Sequence, residues 1–274
     1  MGLNLSVFKV RALSAIVFVA IMLAGLFWNT WSFILLFTVI ATGCLFEYQK
    51  LFYLIVPNYK NSSFVHQKGL LLLGIGIMLL HLPKRIELLG VSLHAVGVFV
   101  SSFCLAFMLT ADLLKRKFNI QNWAISILGL LYIPMSFGLM YQVNFFVPLL
   151  IIASIWINDT MAYIVGSFIG RTPLSSVSPN KTWEGTIAGV ILSVLVMTFL
   201  LGQWIPVTTK YIAMISFVAA VTGSLGDLVE SKLKRLAGVK DSGRMMPGHG
   251  GFLDRFDSIL LATPFVWLLL QILF

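Results

Sequence analysis

The sequence predicts an all-α, polytopic integral membrane protein of about nine transmembrane helices with a cytoplasmic N-terminus. Three observations predict it. Of 274 residues, 59% are hydrophobic and only 11% are charged, against about 25% charged in soluble domains. The mean hydropathy is +0.96. Apolar runs near the ~20 residues of a crossing helix recur along the chain. A large soluble domain is excluded, and so is a disordered chain, which requires low hydrophobicity.

Taken in order, the apolar runs predict helices over 12–28, 30–46, 69–82, 90–110, 123–141, 144–167, 186–203, 210–228 and 258–274. The third is short for a crossing, and the run 51–57 is expected to feed it as an interfacial or re-entrant piece. The first run passes almost directly into the second with no small-residue cleavage pattern, so a retained anchor is expected rather than a signal peptide. With the N-terminus inside, sixteen of the 19 Lys and Arg residues fall on the cytoplasmic side, and only Lys84, Arg85 and Lys210 fall outside. Such a bias sets orientation, and it places Phe274 at the outer face. The net charge of +9 is thereby assigned to orientation in the membrane rather than to nucleic acid. Cys44 and Cys104 lie in apolar runs without metal-ligand spacing and read as small packing residues.

Composition divides the chain into a scaffold of transmembrane helices, 1–150, and a catalytic transmembrane region, 151–274. The first 155 residues hold only Glu47, Glu87 and Asp112, whereas the other seven acidic residues lie between Asp159 and Asp257. The N-terminal part therefore reads as lipid-facing scaffold. The polar loops 168–185 and 229–257 are expected on the cytoplasmic side, where chemistry is expected too.

Four constellations stand out. In Trp156–Tyr163, the residues Asn158 and Asp159 sit inside an apolar helix, and Asp159, Tyr163, Gly166 and Gly170 share a face. A carboxylate there costs about 2.5–3.5 kcal/mol by insertion scales. It marks a polar wall, an ion ligand, or a hydrogen bond that glues two helices. In the second, Arg171, Ser178 and Lys181 precede a helix start that Thr182 can cap. Free N–H groups and cations converging at such a start make an anion site, although a plain capped loop reads the same way.

The third constellation places Asp227, Glu230, Ser231 and Lys234 on one helical stripe, followed by Arg235. The glycines beside Asp227 would let a ligand approach the backbone; a salt-bridged helix end is the plain alternative. The fourth is the densest: Lys240 and Asp241, then Pro247-Gly248-His249-Gly250-Gly251, then Asp254, Arg255, Asp257 and Ser258. The Pro-Gly-His-Gly-Gly run cannot be regular helix. It is expected to wrap closely around a ligand, with His249 among the candidate contacts. Asp227 and Asp254 each fall where a membrane helix meets the cytoplasm. Two carboxylates among Lys and Arg suggest a Mg²⁺–polyphosphate site, because Mg²⁺ takes one or two carboxylates plus phosphates and water. Zinc is excluded for want of a second His or Cys near His249.

The pattern Ser231-x-Leu233-Lys234-Arg235, Lys240-Asp241-x-Gly243 and Met246-Pro247-x-His249-Gly250-Gly251-Phe252-x-Asp254-Arg255-Phe256-Asp257 resembles the signature of the phosphatidate cytidylyltransferase family. Met246 departs from its usual Ile, Leu or Phe, an apolar-for-apolar change. The resemblance extends to 156–163 and 178–185 and so spans about 155–260. It implies a multi-helix enzyme of the bacterial cytoplasmic membrane, often a homodimer, that joins CTP and phosphatidic acid into CDP-diacylglycerol and pyrophosphate with Mg²⁺. It also implies metal ligands at Asp227 and Asp254.

On that basis Lys234, Arg235 and Lys240 are expected to clamp phosphates. Lys181, Ser178 and Arg171 are expected to complete the anion site from the other loop. Asp257 is expected to orient Arg255 or to join a second metal site, with Asn158, Asp159 and Tyr163 lining the wall beneath. Ser231 and His249 complete the expected substrate contacts. Two other functions fit parts of the pattern. A CTP-using lipid kinase, such as a polyprenol kinase, would share the nucleotide site. An ion-coupled transporter would use intramembrane carboxylates but should show repeated halves, and the sequence has no internal repeat.

Overall fold

The computed structural model describes residues 5–115, 118–204, 207–245 and 250–273, with side chains from residue 16 onward. Helices dominate: α1 (Leu5–Phe27), α2 (Thr30–Ile55), α3 (Pro57–Lys60), α4 (Phe64–Leu80), α5 (Leu93–Leu114), α6 (Ile120–Tyr132), α7 (Pro134–Met140), α8 (Phe146–Ile169), α9 (Trp183–Leu201), α10 (Thr209–Leu236) and α11 (Leu253–Leu273). Among the described residues, seven helical segments are long and apolar enough to cross a membrane, with α6 and α7 together making one of them. Two shorter apolar helices, Ile16–Phe27 and Phe64–Leu80, add to these. An all-α polytopic membrane protein is therefore what the chain folds into.

Several boundaries differ from the sequence expectation, each for a local reason. Helix α4 starts at Phe64 because Ser63 caps it, accepting the His66 N–H at 3.0 Å. The run 51–57 is no separate piece: residues through Ile55 extend α2, and α3 follows after Val56. A break before Pro134 separates α6 from α7, since proline supplies no N–H to the preceding turn. Helix α10 runs to Leu236, so Asp227 and Lys234 lie within it. Helix α11 begins at Leu253 and contains Asp254, Arg255 and Asp257. The expected loop 168–185 is largely an antiparallel hairpin of β1 (Pro173–Ser175) and β2 (Ser178–Thr182), with Ser175 opposite Ser178.

The chain forms two compact units, Met1–Tyr141 with Leu236–Arg255, and Gln142–Arg235 with Phe256–Phe274. In the first, Phe37, Leu45, Leu51, Leu70, Met78, Met108 and Phe137 are buried. Helix α5 instead exposes Phe99, Phe103 and Phe107, ring on ring along one face, a surface suited to hydrocarbon rather than water.

The first unit also buries a chain of polar side chains. Asp112 accepts from Ser63 Oγ at 2.7 Å and pairs with His66 Nδ1 at 2.7 Å; His66 Nε2 lies 2.8 Å from Ser126 Oγ, which meets the Tyr59 hydroxyl at 3.1 Å. His66, Asp112, Ser126 and Tyr59 are all buried. Each polar atom answers another, which is what makes their burial tolerable.

In the second unit, α8 and α9 cross closely at small residues. A Cβ on Gly189 would lie 2.7 Å from the Asn158 carbonyl oxygen, and one on Gly185 2.6 Å from that of Ala162. Small residues at the crossing let the backbones meet, as membrane helices require. Hydroxyls reinforce the contacts: Ser193 donates to the Ser154 carbonyl at 2.8 Å, and Ser154 to Ser216 Oγ at 3.0 Å.

Candidate active site

The close crossing of α8 and α9 brings the second unit's polar residues to one cavity of about 430 Å³. Its walls carry Asn158, Asp159 and Tyr163 from α8, Ser178 and Lys181 from the hairpin, and Asp227 from α10. Six residues chosen from sequence thus share one hollow. Ser224, the serine one turn before Asp227, joins them, as does Thr186, which the sequence did not single out.

The hydrogen bonds explain why these polar groups tolerate an apolar setting. Lys181 Nζ donates to Asp227 Oδ2, making an ion pair of two half-buried side chains. Ser231 Oγ donates to Asp227 Oδ1 at 3.2 Å. Asn158 Nδ2 donates to Asp159 Oδ1 at 3.2 Å and to Ser224 Oγ at 3.1 Å, so the amide orients the carboxylate beside it. Asp159 lies close enough to feel the charges of both Lys181 and Asp227. Lys181 pairs directly with Asp227, and Asp159 lines the same cavity. The hairpin that carries Lys181 is pinned by Glu184, whose carboxylate accepts the N–H groups of Arg171 and Thr172 at 3.2 Å. As expected, Thr182 caps α9 through Gly185 N at 3.2 Å.

The stripe on α10 splits by role. Lys234 Nζ bonds Glu230 at 2.6 Å, so this lysine is spoken for within its own helix. Asp257 is buried and accepts the Ser258 N–H at 2.8 Å; it feels the charges of Asp227, Lys234 and Lys181. The glycine before Asp227 lies where α10 packs closely on α11. A Cβ on Gly226 would lie 2.6 Å from the Asp257 carbonyl oxygen. Arg171 and Arg235 are exposed and lie outside the cavity's lining.

The first unit holds the other polar cluster. There Ser242, Gly243, Gly251, Phe252 and Leu253 gather around a carboxylate of their own chain, Glu47 of α2. Glu47 is buried and accepts the N–H groups of Phe252 at 3.0 Å and Leu253 at 2.9 Å, and the Ser242 hydroxyl at 2.7 Å. Gly243 and Gly251 flank it so closely that a Cβ on either would collide with its oxygens. Asp254 Oδ2 accepts the Ser242 N–H at 2.9 Å and the Gly251 N–H at 2.8 Å, and it lies 2.9 Å from Ser242 Oγ. Lys240 and Arg255 are exposed. His249 lies outside the described residues. Sequence reasoning missed Glu47; its only signal was a carboxylate inside an apolar helix, the same signal that marked Asp159.

The donors bear on which metal would suit the protein. Among the described residues, no group of three or more His, Cys, Asp or Glu could cage an ion. Asp227 draws an ammonium onto its oxygen, which shows a carboxylate that calls for positive charge. Hard oxygen donors in ones and twos fit Mg²⁺ completed by phosphates and water, and do not fit a full protein cage.

Comparison with known proteins assigns this arrangement to a family. The sequence model of the Cytidylyltransferase family matches residues 9–273. The chain is 33% identical over 274 residues to phosphatidate cytidylyltransferase of Bacillus subtilis (strain 168), covering 95% of each chain. It is 32% identical over 278 residues to the phosphatidate cytidylyltransferase of Staphylococcus saprophyticus, covering 96% of this chain and 98% of the relative. Over 192 residues it is 35% identical to that of Synechocystis, covering 69% of this chain and 65% of the relative. With the match running nearly end to end, the chain belongs to the Cytidylyltransferase family.

Proposed function

We propose that the protein is a phosphatidate cytidylyltransferase, transferring CMP from CTP to phosphatidic acid to give CDP-diacylglycerol and pyrophosphate. The observation that carries the reading is the family match along with a polar cavity, lined by Lys181, Asp227 and Asp159, among apolar helices. The nucleophile is the lipid phosphate, which is largely ionised at neutral pH, so no general base is needed. The difficulty is repulsion: CTP carries about four negative charges and the lipid headgroup nearly two. Catalysis is then mostly positioning and charge neutralisation.

The protein's residues divide that work. Asp227 and Asp254 are the proposed Mg²⁺ ligands, a role that rests on residue type and on the family resemblance. Bound Mg²⁺ would polarise the α-phosphorus and stabilise the leaving pyrophosphate. Lys181, held by Asp227 in the structure, would be available to phosphate oxygens, and Asp227 would then be free to hold a cation. Asn158 keeps Asp159 oriented at the cavity wall. Ser178 and Tyr163 line the approach, and Lys240, Arg235 and Arg171 supply outlying positive charge. Lys234, bonded to Glu230, contributes charge from α10.

Nine crossings with a cytoplasmic N-terminus remain our topology for the chain, supported by the distribution of Lys and Arg and by two short apolar helices beside the seven long ones. In that topology the site sits at the inner leaflet of the bacterial cytoplasmic membrane, where it receives CTP from water and phosphatidic acid from lipid. A homodimer follows from the resemblance alone. The experiment is pyrophosphate release by purified protein: it should require CTP, phosphatidic acid and Mg²⁺ together, and release that ignores phosphatidic acid would refute the acceptor.

A further inference from the structure

We infer that Glu47, on α2 of the N-terminal half, is a positioning residue that sets the orientation of Asp254 by organising the loop before α11. This rests on the reading of Asp254 as a metal ligand. A carboxylate buried in an apolar helix is costly unless its lone pairs are used, and those of Glu47 take the Phe252 N–H, the Leu253 N–H and the Ser242 hydroxyl. These donors come from residues 195–206 positions away in sequence, so a helix of the first half dictates the shape of a loop of the second.

Three features carry the effect on to Asp254. Ser242 Oγ lies within hydrogen-bond reach of both Glu47 Oε2, at 2.7 Å, and Asp254 Oδ2, at 2.9 Å, so one hydroxyl links the two carboxylates. The Ser242 and Gly251 N–H groups, which hold Asp254, belong to the segments that Glu47 pulls together. Finally, the Phe252 ring packs over Gly43, one helical turn before Glu47, so closely that a Cβ there would overlap it. Gly43 and Glu47 thus form a socket for the ring and the N–H of one residue. Gly243 and Gly251 are glycines because any side chain would displace the Glu47 carboxylate.

The test is Mn²⁺ binding, followed by the EPR signal of free Mn²⁺, in the full-length purified protein. Glu47→Gln replaces an acceptor with an NH₂ group that faces N–H donors. It should raise the Mn²⁺ dissociation constant about tenfold, the scale of lost support around metal ligands, in protein whose Tm falls by several degrees but that is still folded at the assay temperature. The Mg²⁺ concentration giving half-maximal turnover should rise in step. A merely structural role would lower the amount of folded enzyme and leave both constants unchanged. Ser242→Ala removes only the hydroxyl link and should shift both constants in the same direction by about threefold. It decides the matter if Glu47→Gln fails to accumulate, since unchanged binding in Ser242→Ala would then overturn the inference. Loss of Mn²⁺ binding in Asp254→Asn with wild-type binding in folded Glu47→Gln overturns the inference alone. Wild-type Mn²⁺ binding in Asp254→Asn overturns the ligand reading beneath it.

Discussion

Lys181 and Asp227, 46 positions apart in sequence, form an ion pair at the wall of a cavity set among apolar helices. The pairing couples the hairpin to α10 and gives the cavity a positive charge beside Asp227 and Asp159. In a site that must gather polyanions, that ammonium is a resident counter-ion which incoming phosphate can claim.

Lys181→Met should therefore lower kcat/KM for CTP by at least about a hundredfold, the size expected when a charge-stabilising donor is removed. Lys181→Arg should keep part of the activity, because it keeps the charge but changes the geometry. Steady-state kinetics in detergent checks both. Equal activity in the Met variant and the wild type would remove Lys181 from the site.

Asp227→Asn and Asp254→Asn should each reduce Mg²⁺-dependent turnover to below about a tenth of the wild-type rate, with the protein still inserted in the membrane. Turnover measured on membranes matched for protein content is the check. A variant above that level loses its metal role.

A different outcome is expected at the buried chain Asp112–His66–Ser126. Asp112→Asn leaves His66 without its charged partner in a site closed to water, a change worth about 3 kcal/mol. Thermal unfolding in detergent should show a Tm several degrees lower, while KM for CTP in the folded fraction stays unchanged. A changed KM with unchanged Tm would move this network from stability to function.

Gly189→Leu should push α8 from α9, since even a Cβ would sit 2.8 Å from that of Ala162. Activity should fall more than about tenfold. Gly90→Ala is the control: it strains a positive φ of 78° but meets open space, costing about 1 kcal/mol and leaving turnover within about twofold. Parallel assays of the two variants separate helix packing from general damage.

The cavity was legible in sequence because polar groups in apolar helices stand out against their surroundings. Asn158, Asp159 and Asp227 announce themselves by that cost, and Lys181 by its place before a capped helix. What the sequence did not disclose depends on distant partners. Glu47 looked like one of three stray acids in a scaffold, because the N–H groups that satisfy it lie about 200 residues away. His66 masked the start of α4, since its polarity is cancelled only by Asp112 and Ser126. The hairpin at 173–182 was missed because its strands of three and five residues are too short for an alternating pattern. Gly243 and Gly251 both lie against the chain's own Glu47 carboxylate, a partner that their local sequence does not name.

The most direct test of the proposed reaction uses CTP carrying tritium in cytosine and ³²P at the γ-phosphate, incubated with purified protein, phosphatidic acid and Mg²⁺ before lipid extraction. The account predicts tritium in the lipid phase and ³²P in aqueous pyrophosphate. Recovery of ³²P in lipid, with tritium left in the aqueous phase, would identify a lipid kinase and contradict it.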